Sequence, residues 1–340
     1  MTHCKVSVLV PVYKVEKQIA RCAKSLFEQT FDSIEYIFVD DASPDHSVEV
    51  LEKLLEQYPG RRASVKILHH QENMGLANAR ITALQAASGD YVWYVDSDDR
   101  IAPDAVEKLY HTAVTEKADV VMFDFIDVFP DGSQRKRRRP VLPGKELIRQ
   151  ILRGDYMPSA VLLFCARSVY TEHCIMPVPH IDMGEDYATT PRLLHSAEKI
   201  SFLPDCLYYY IHDNPESYCS RWDRSYLQQR ITAYQTLIDF FEKHESEGYW
   251  REAIQHHIVR SKCQFYRLYG NSSKPDPEDL EAINRWHSEI SFSALLKKAD
   301  IPYKPIIILA YGRMNFLLRC YVKGCRCLYR FTLKLRSMTA

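Results

Sequence analysis

The 340-residue chain is 46% hydrophobic, 26% charged and 12% aromatic. That composition builds one large or two modest cores and excludes a disordered, collagen-like or low-complexity chain. Lys+Arg and Asp+Glu both number 44, a zero balance that argues against a dedicated nucleic-acid binder.

The charge is uneven along the chain. Residues 301–340 hold eight Lys/Arg and no Asp or Glu, which leaves 36 basic against 44 acidic groups in the first 300 residues. A basic tail on an acidic body suits a negative partner. The ten cysteines form no CxxC pair and no zinc-finger spacing. No secretory leader or run of about 18 apolar residues is read, so free cytosolic thiols and no spanning helix are expected.

Val6–Val10 is a β-rich run ending at Pro11. Ile19, Cys22, Ala23, Leu26 and Phe27 recur at helical spacing. Tyr36–Val39 predicts a second buried strand, closed by Asp40-Asp41. Ser43-Pro44 then reads as an N-cap with Pro at the first helical position, opening a helix through Val48, Leu51, Leu54 and Leu55. Val65–Leu68 is a third strand. Leu76, Ala79, Arg80, Ala83, Leu84 and Ala87 make a third helix, and Tyr91–Val95 is a fourth strand running into Asp96-Ser97-Asp98-Asp99. Such alternation implies right-handed βαβ crossovers, hence an α/β fold with a mostly parallel sheet flanked by helices.

Farther on, Val120–Val128 is strand-like and Pro130-Asp131-Gly132 is a turn signal. Residues 143–153 are helical, Glu185–Leu194 begins another helix, and Cys206–Ile211 predicts a last strand. From about Ser225 the pattern is helical. The expected boundary near 220 separates an α/β domain, residues 1–220, from a helical C-terminal region, residues 221–340, ending in a basic amphipathic tail at about 301–340.

Ligands of open parallel sheets bind beyond the carboxyl ends of the strands. Three predicted strands end there in polar chemistry: Pro11-Val12-Tyr13, Asp40-Asp41, and Asp96-x-Asp98-Asp99. GxGxxG and GxxxxGK loops are absent, so a phosphate would not be held in the usual Gly-rich cradle. Carboxylates repel phosphate, but they can hold it through a divalent cation. Residues i and i+2 of an extended segment face one way, so Asp96 and Asp98 can present oxygens to a Mg²⁺ or Mn²⁺ carried by a diphosphate.

These residues resemble the family 2 glycosyltransferases, which have the GT-A fold. The likeness rests on Val6–Tyr13, Val39-Asp40-Asp41-Ala42-Ser43-Pro44-Asp45, Asn73–Arg80, and Asp96-Ser97-Asp98-Asp99 with Pro103-Asp104. Gly184-Glu185-Asp186-Tyr187, Tyr208-Tyr209-Tyr210 and Ser217 extend it, and it covers roughly residues 5–220. The resemblance implies an inverting transfer from a nucleotide-diphosphate sugar, most often a UDP-sugar. It implies that Pro11 and Tyr13 line the base pocket, Asp41 bonds the uracil, Asp96 meets the ribose or donor sugar, and Asp98 ligates the metal. Arg80 would hold the donor side, and Asp186 would be the general base toward the acceptor hydroxyl. Lys14 and Ile81 depart from the family's frequent Asn at those positions.

Other readings stand beside these. Asp41 could cap a helix, Glu185 is a substrate-binding candidate that competes with Asp186 as the base, either of that pair could merely cap its helix, and Asp99 could only support its loop. His212 could be a third metal ligand, a diphosphate contact or an ordinary loop histidine. Arg135-Lys136-Arg137-Arg138-Arg139 is a solvated hairpin, or it meets an anionic acceptor or membrane. The tail either lies on an anionic membrane surface or packs on the body. The expected enzyme is cytoplasmic, peripheral on the inner membrane face, and acts on a glycan or lipid-linked glycan. A nucleotidyltransferase and a catalytically silent membrane-docked scaffold are the rivals.

Overall fold

β1 (Val6–Val12) is buried at all seven residues, the burial expected of a strand covered on both faces. It lies between β2 (Ile34–Asp40) and β4 (Tyr91–Tyr94), parallel to both, and β2 continues in parallel to β3 (Val65–His69). The computed structural model describes residues 4–214, 224–271, 276–287 and 304–312, with 293, 297, 317 and 320–322. The chain divides into two units, residues 1–151 with 156–220 and residues 152–155 with 221–340.

In the first unit, α1 (Ile19–Phe27), α2 (Ser47–Leu55) and α3 (Leu76–Ala86) connect these strands, and α3 packs on β1 and β2. Beyond β4 the sheet becomes mixed. Its order is β3-β2-β1-β4-β8-β6-β9-β5, with β7 on the side of β6. The added strands are β5 (Arg100–Ile101), β6 (Val120–Val128), β7 (Gln134–Arg137), β8 (Leu163–Ala166) and β9 (Ile200–Ile211). β8 runs antiparallel to both β4 and β6, whereas β6 and β9 are parallel with a bulge near Asp124. Parallel βαβ order is thus confined to the half where strand and helix alternate in sequence. Trp93, fully buried, donates its indole N–H to the Val161 carbonyl at 2.8 Å, so the joint at β4 and β8 carries an aromatic with its polar atom satisfied.

One local expectation changes. Ser43-Pro44 does not open α2, which starts at Ser47. Ser43 instead takes the Lys14 N–H at 2.8 Å, and Ser47 takes that of Val15 at 3.0 Å. These hydroxyls pin the loop after β1 to the loop after β2. Lys14 sits at φ 54°, in the left-handed region that Asn tolerates better than Lys. At the opposite end of the strands, Glu35 accepts from Ser7 Oγ, Ser88 N and Oγ, and Lys66 Nζ at 2.6–2.8 Å. These donors outweigh burial and lower its pKa to about 2.

The first unit also holds α4 (Ala105–Glu116), α5 (Gly144–Arg153, its last two residues in the second unit), α6 (Arg167–Glu172) and α7 (Glu185–Ser196). The second unit is helical in its described residues: α8 (Arg224–His244), α9 (Tyr249–Asn271), α10 (Pro277–Arg285) and α11 (Lys304–Tyr311). α9 packs against the other three, around Tyr234, Phe241, Trp250 and Tyr266. Most of the tail at 301–340 lies outside the described residues, as does Ser217. Among the described residues no helix is long and apolar enough to cross a membrane.

Candidate active site

The carboxyl ends of β1–β4 share one sheet edge, because those strands are parallel. Pro11 is buried within β1 and Tyr13, just past it, is half-buried, with Lys14 Nζ 5.2 Å from its ring centre. Asp41 follows β2 and is 3% exposed. Its Oδ1 accepts from Met74 N at 2.8 Å and contacts His70 Nδ1 at 2.7 Å; its Oδ2 accepts from Gly75 N at 2.8 Å. His70 is fixed in turn by Thr82 Oγ1 at 2.9 Å. Asp41 therefore holds the turn into α3 rather than capping the helix after its own strand. A carboxylate accepts about four hydrogen bonds, so three donors leave capacity for one more.

That turn depends on Gly75, at φ 89°, where an added Cβ would stand 2.6 Å from the Asp182 carboxylate. Asp182 accepts from Ala77 N at 3.2 Å at the start of α3, and burial raises its pKa. No sequence signal marked it, because 105 residues separate it from Ala77.

Arg80, on α3 and 3% exposed, joins the Asp96 turn to the Glu185-Asp186 motif farther along the chain. Its Nη1 donates to Asp186 Oδ1 at 2.7 Å and Glu185 Oε1 at 3.3 Å, and its Nη2 to Asp96 Oδ1 at 3.1 Å. Tyr94 orders the same helix, donating its hydroxyl to the Arg80 carbonyl at 3.1 Å. A guanidinium is the group for this task, since its planar fork serves several carboxylate oxygens at once. Glu185 and Asp186 open α7 after Gly184 at φ 104°. Burial raises both of their pKa values, and Arg80 works against that rise. Asp186 is thus a carboxylate of increased basicity held in one orientation, as a proton acceptor requires.

The turn 96–99 separates its carboxylates by role. Asp99 is 2% exposed and points inward, accepting from Tyr208 Oη at 2.6 Å and Ile211 N at 2.7 Å. The Tyr208 hydroxyl also accepts the Asp96 N–H at 3.2 Å. Asp99 therefore supports the loop, and Tyr208 fastens β9 to it. Asp98 accepts from Asn214 Nδ2 at 2.8 Å, and its carbonyl takes Arg21 Nη2 at 2.5 Å. Arg21 also donates to Asp213 Oδ2 at 2.7 Å. Arg21, Asp213 and Asn214 were not legible as site residues.

His212 departs from the metal-ligand expectation. Its Nε2 faces Asp127 Oδ1 at 2.9 Å, and its ring stacks on Phe129 at 4.9 Å between centres. The Asp127 carboxylate, not Asp98, occupies that nitrogen. Among the described residues no three His, Cys, Asp or Glu side chains converge into a ready-made metal cage. Asp96 and Asp98 nevertheless fit Mg²⁺ or Mn²⁺, hard cations that take oxygen ligands and keep part of their shell for substrate phosphates.

Residues 7–173 match the model of glycosyl transferase family 2. The chain is 27% identical over 339 residues to the uncharacterized glycosyltransferase EpsJ of Bacillus subtilis, covering 93% of this chain and 95% of that protein. It is 30% identical over 210 residues to the poly(ribitol-phosphate) beta-glucosyltransferase of Bacillus spizizenii, 61% of this chain and 32% of that one. Among solved structures, S. aureus TarS 1–349 in complex with UDP-GlcNAc superposes with a TM-score of 0.69 at 19% identity, covering 95% of this chain and 91% of that chain. The Pyrobaculum calidifontis mannosyltransferase PcManGT, in complex with GDP-Man and Mn²⁺, has a TM-score of 0.50 at 17% identity, covering 96% and 87%. The shared architecture is the GT-A fold.

Proposed function

We infer that this chain, a member of glycosyl transferase family 2, moves a hexosyl or N-acetylhexosaminyl group from a UDP-sugar to a hydroxyl of a glycan or lipid-linked acceptor, with inversion. The observation that carries the reading is Arg80, whose one guanidinium holds Asp96 of the donor-side turn and Asp186 of the acceptor-side helix, at 3.1 and 2.7 Å. A single rigid link between the two sides is what positions a nucleophile against a leaving group.

In this reading Pro11 and Tyr13 flank the base, and Asp41 uses its remaining lone pair on the uracil N–H. Asp96 meets the ribose or the sugar. Asp186 takes the proton of the acceptor hydroxyl as that oxygen attacks the anomeric carbon, opposite the departing diphosphate. Glu185 shares the Arg80 fork and orients the acceptor. A Mg²⁺ or Mn²⁺ on Asp98, when bound, neutralises the charge that gathers on the diphosphate. The UDP-GlcNAc and GDP-Man/Mn²⁺ complexes of proteins with this fold support a nucleotide-sugar donor and a divalent ion. The eight Lys/Arg of residues 301–340, unaccompanied by Asp or Glu, support a place on the anionic cytoplasmic face of the membrane.

The test is thermal unfolding with UDP-, GDP-, CDP- and dTDP-sugars, each with and without Mn²⁺. Ligand at about 100 times its Kd stabilises the native state by about 2.7 kcal/mol. One UDP-sugar should raise the transition only when metal is present, and Asp98→Ala should abolish the rise. A flat response to every nucleotide sugar refutes the donor site.

A further inference from the structure

Behind Asp41 lies a buried histidine to which the transfer reading gives no task. β2 and β3 pair in parallel with Asp40 opposite His69, so the next residue of each chain segment brings Asp41 beside His70. The two histidines differ in setting: the His69 side chain is 52% exposed, that of His70 only 8%. The backbone at His70 is tied to β2 as well, its N–H donating to the Asp40 carbonyl at 2.9 Å.

The imidazole is held at both nitrogens. Nδ1 lies 2.7 Å from Asp41 Oδ1, and Nε2 lies 2.9 Å from Thr82 Oγ1. A carboxylate oxygen only accepts, so Nδ1 carries the hydrogen in this contact. The hydroxyl of Thr82, on α3, gives or takes a hydrogen and suits Nε2 either way. His70 therefore bridges the Asp41 carboxylate to the helix that carries Arg80.

The donors to Asp41 are unevenly shared. Oδ1 accepts from Met74 N and His70 Nδ1, at 2.8 and 2.7 Å. Among the described residues Oδ2 accepts from Gly75 N alone, at 2.8 Å. About two hydrogen bonds fill each carboxylate oxygen. Oδ1 is full, and the lone pair left for a ligand is on Oδ2.

We propose that His70 is a positioning residue that sets the choice of base in the donor. By filling Oδ1 it fixes the direction of Oδ2, and the site takes a base edge that presents an N–H, as uracil does at N3. Cytosine presents a lone pair at that atom, and two acceptors face to face repel. The proposal rests on the UDP-sugar reading and names the residue that enforces it. Without the Nδ1 hydrogen, Oδ1 regains an open position, the carboxyl group can turn, and discrimination between bases falls.

The experiment is calorimetric titration of the full chain with UDP, N3-methyl-UDP and CDP, each with Mg²⁺. Two near-isosteric variants separate the contacts of the ring. His70→Asn keeps an N–H at the Nδ1 position, toward Asp41. His70→Gln keeps a polar group at the Nε2 position, toward Thr82, and none toward Asp41. Wild type should bind UDP more tightly than either analogue by about tenfold or more, the range for a hydrogen bond to a charged group. His70→Asn should keep that ratio, and His70→Gln should cut it to about threefold or less. A histidine that only packs would move both variants alike. Should His70→Gln fail to fold, Thr82→Val takes its place with a fall in the same direction, because it frees Nε2 and lets the ring turn from Asp41. An unchanged ratio in the folded variant overturns the proposal and leaves the UDP-sugar reading standing. Equal binding of all three nucleotides by the wild type, or binding of none, overturns both.

Discussion

Replacing Arg80 by Met removes a 3%-exposed cation from three carboxylates at 2.7, 3.1 and 3.3 Å and keeps most of the side chain's volume. Deleting one partner of a buried ion pair costs about 3–5 kcal/mol, because the other charge is left uncompensated. For a unit of this size that lowers the unfolding midpoint by roughly 6–20 °C. The loss should depend on pH with a definite sign. Glu185 and Asp186 already have raised pKa values that Arg80 partly offsets, and without it both rise further. A carboxylate with a raised native pKa binds more protons folded than unfolded, so stability falls as pH rises through that window. The gap between wild type and Arg80→Met, read by urea unfolding, should therefore be widest near pH 8 and narrow toward pH 5. Arg80→Lys, which keeps the charge but not the fork, should fall between the two. A gap independent of pH, or a loss below about 1 kcal/mol, would refute the view that one guanidinium neutralises this cluster.

Asp186→Asn should lower the turnover of sugar transfer by about 10²–10⁴-fold and leave the donor-induced thermal shift in place. In the wild type, the acid limb of kcat/KM should lie above the ordinary carboxylate range, since burial raises the Asp186 pKa and the base must be ionised; a limb near pH 4 would contradict that role. Tyr208→Phe strips the donor from buried Asp99 Oδ2 and should cost about 1–3 kcal/mol in chemical denaturation. The Glu35 carboxyl titrates at about 2 instead of 4.5, so its stabilisation is complete above pH 4.5 and lost as pH falls toward 2. Glu35→Gln should accordingly flatten the acid side of the stability curve, and an unchanged acid transition would count against the Ser7, Ser88 and Lys66 network.

The sequence by itself determined the parallel half of the sheet, because periodicity and local βαβ order are short-range. It also determined which strand ends carry Asp41, Asp96 and Asp98, since parallel strands must place their carboxyl ends on one edge. It could not assign the carboxylates their separate tasks. Asp98 and Asp99 are neighbours, yet Asp99 faces Tyr208 and Asp98 faces Asn214, contacts reaching across 109 and 116 residues. His212 is similarly decided by Asp127, a residue brought beside it only by the pairing of β6 with β9. The mixed half of the sheet was hidden because antiparallel β8 inserts between β4 and β6 from a point far along the chain. Tertiary structure also decided the role of Arg80: helical periodicity places it on the buried face of α3, but only packing brings Asp96 and Asp186 to its guanidinium. A buried charge must find opposite charges, and which ones it finds is set by the fold.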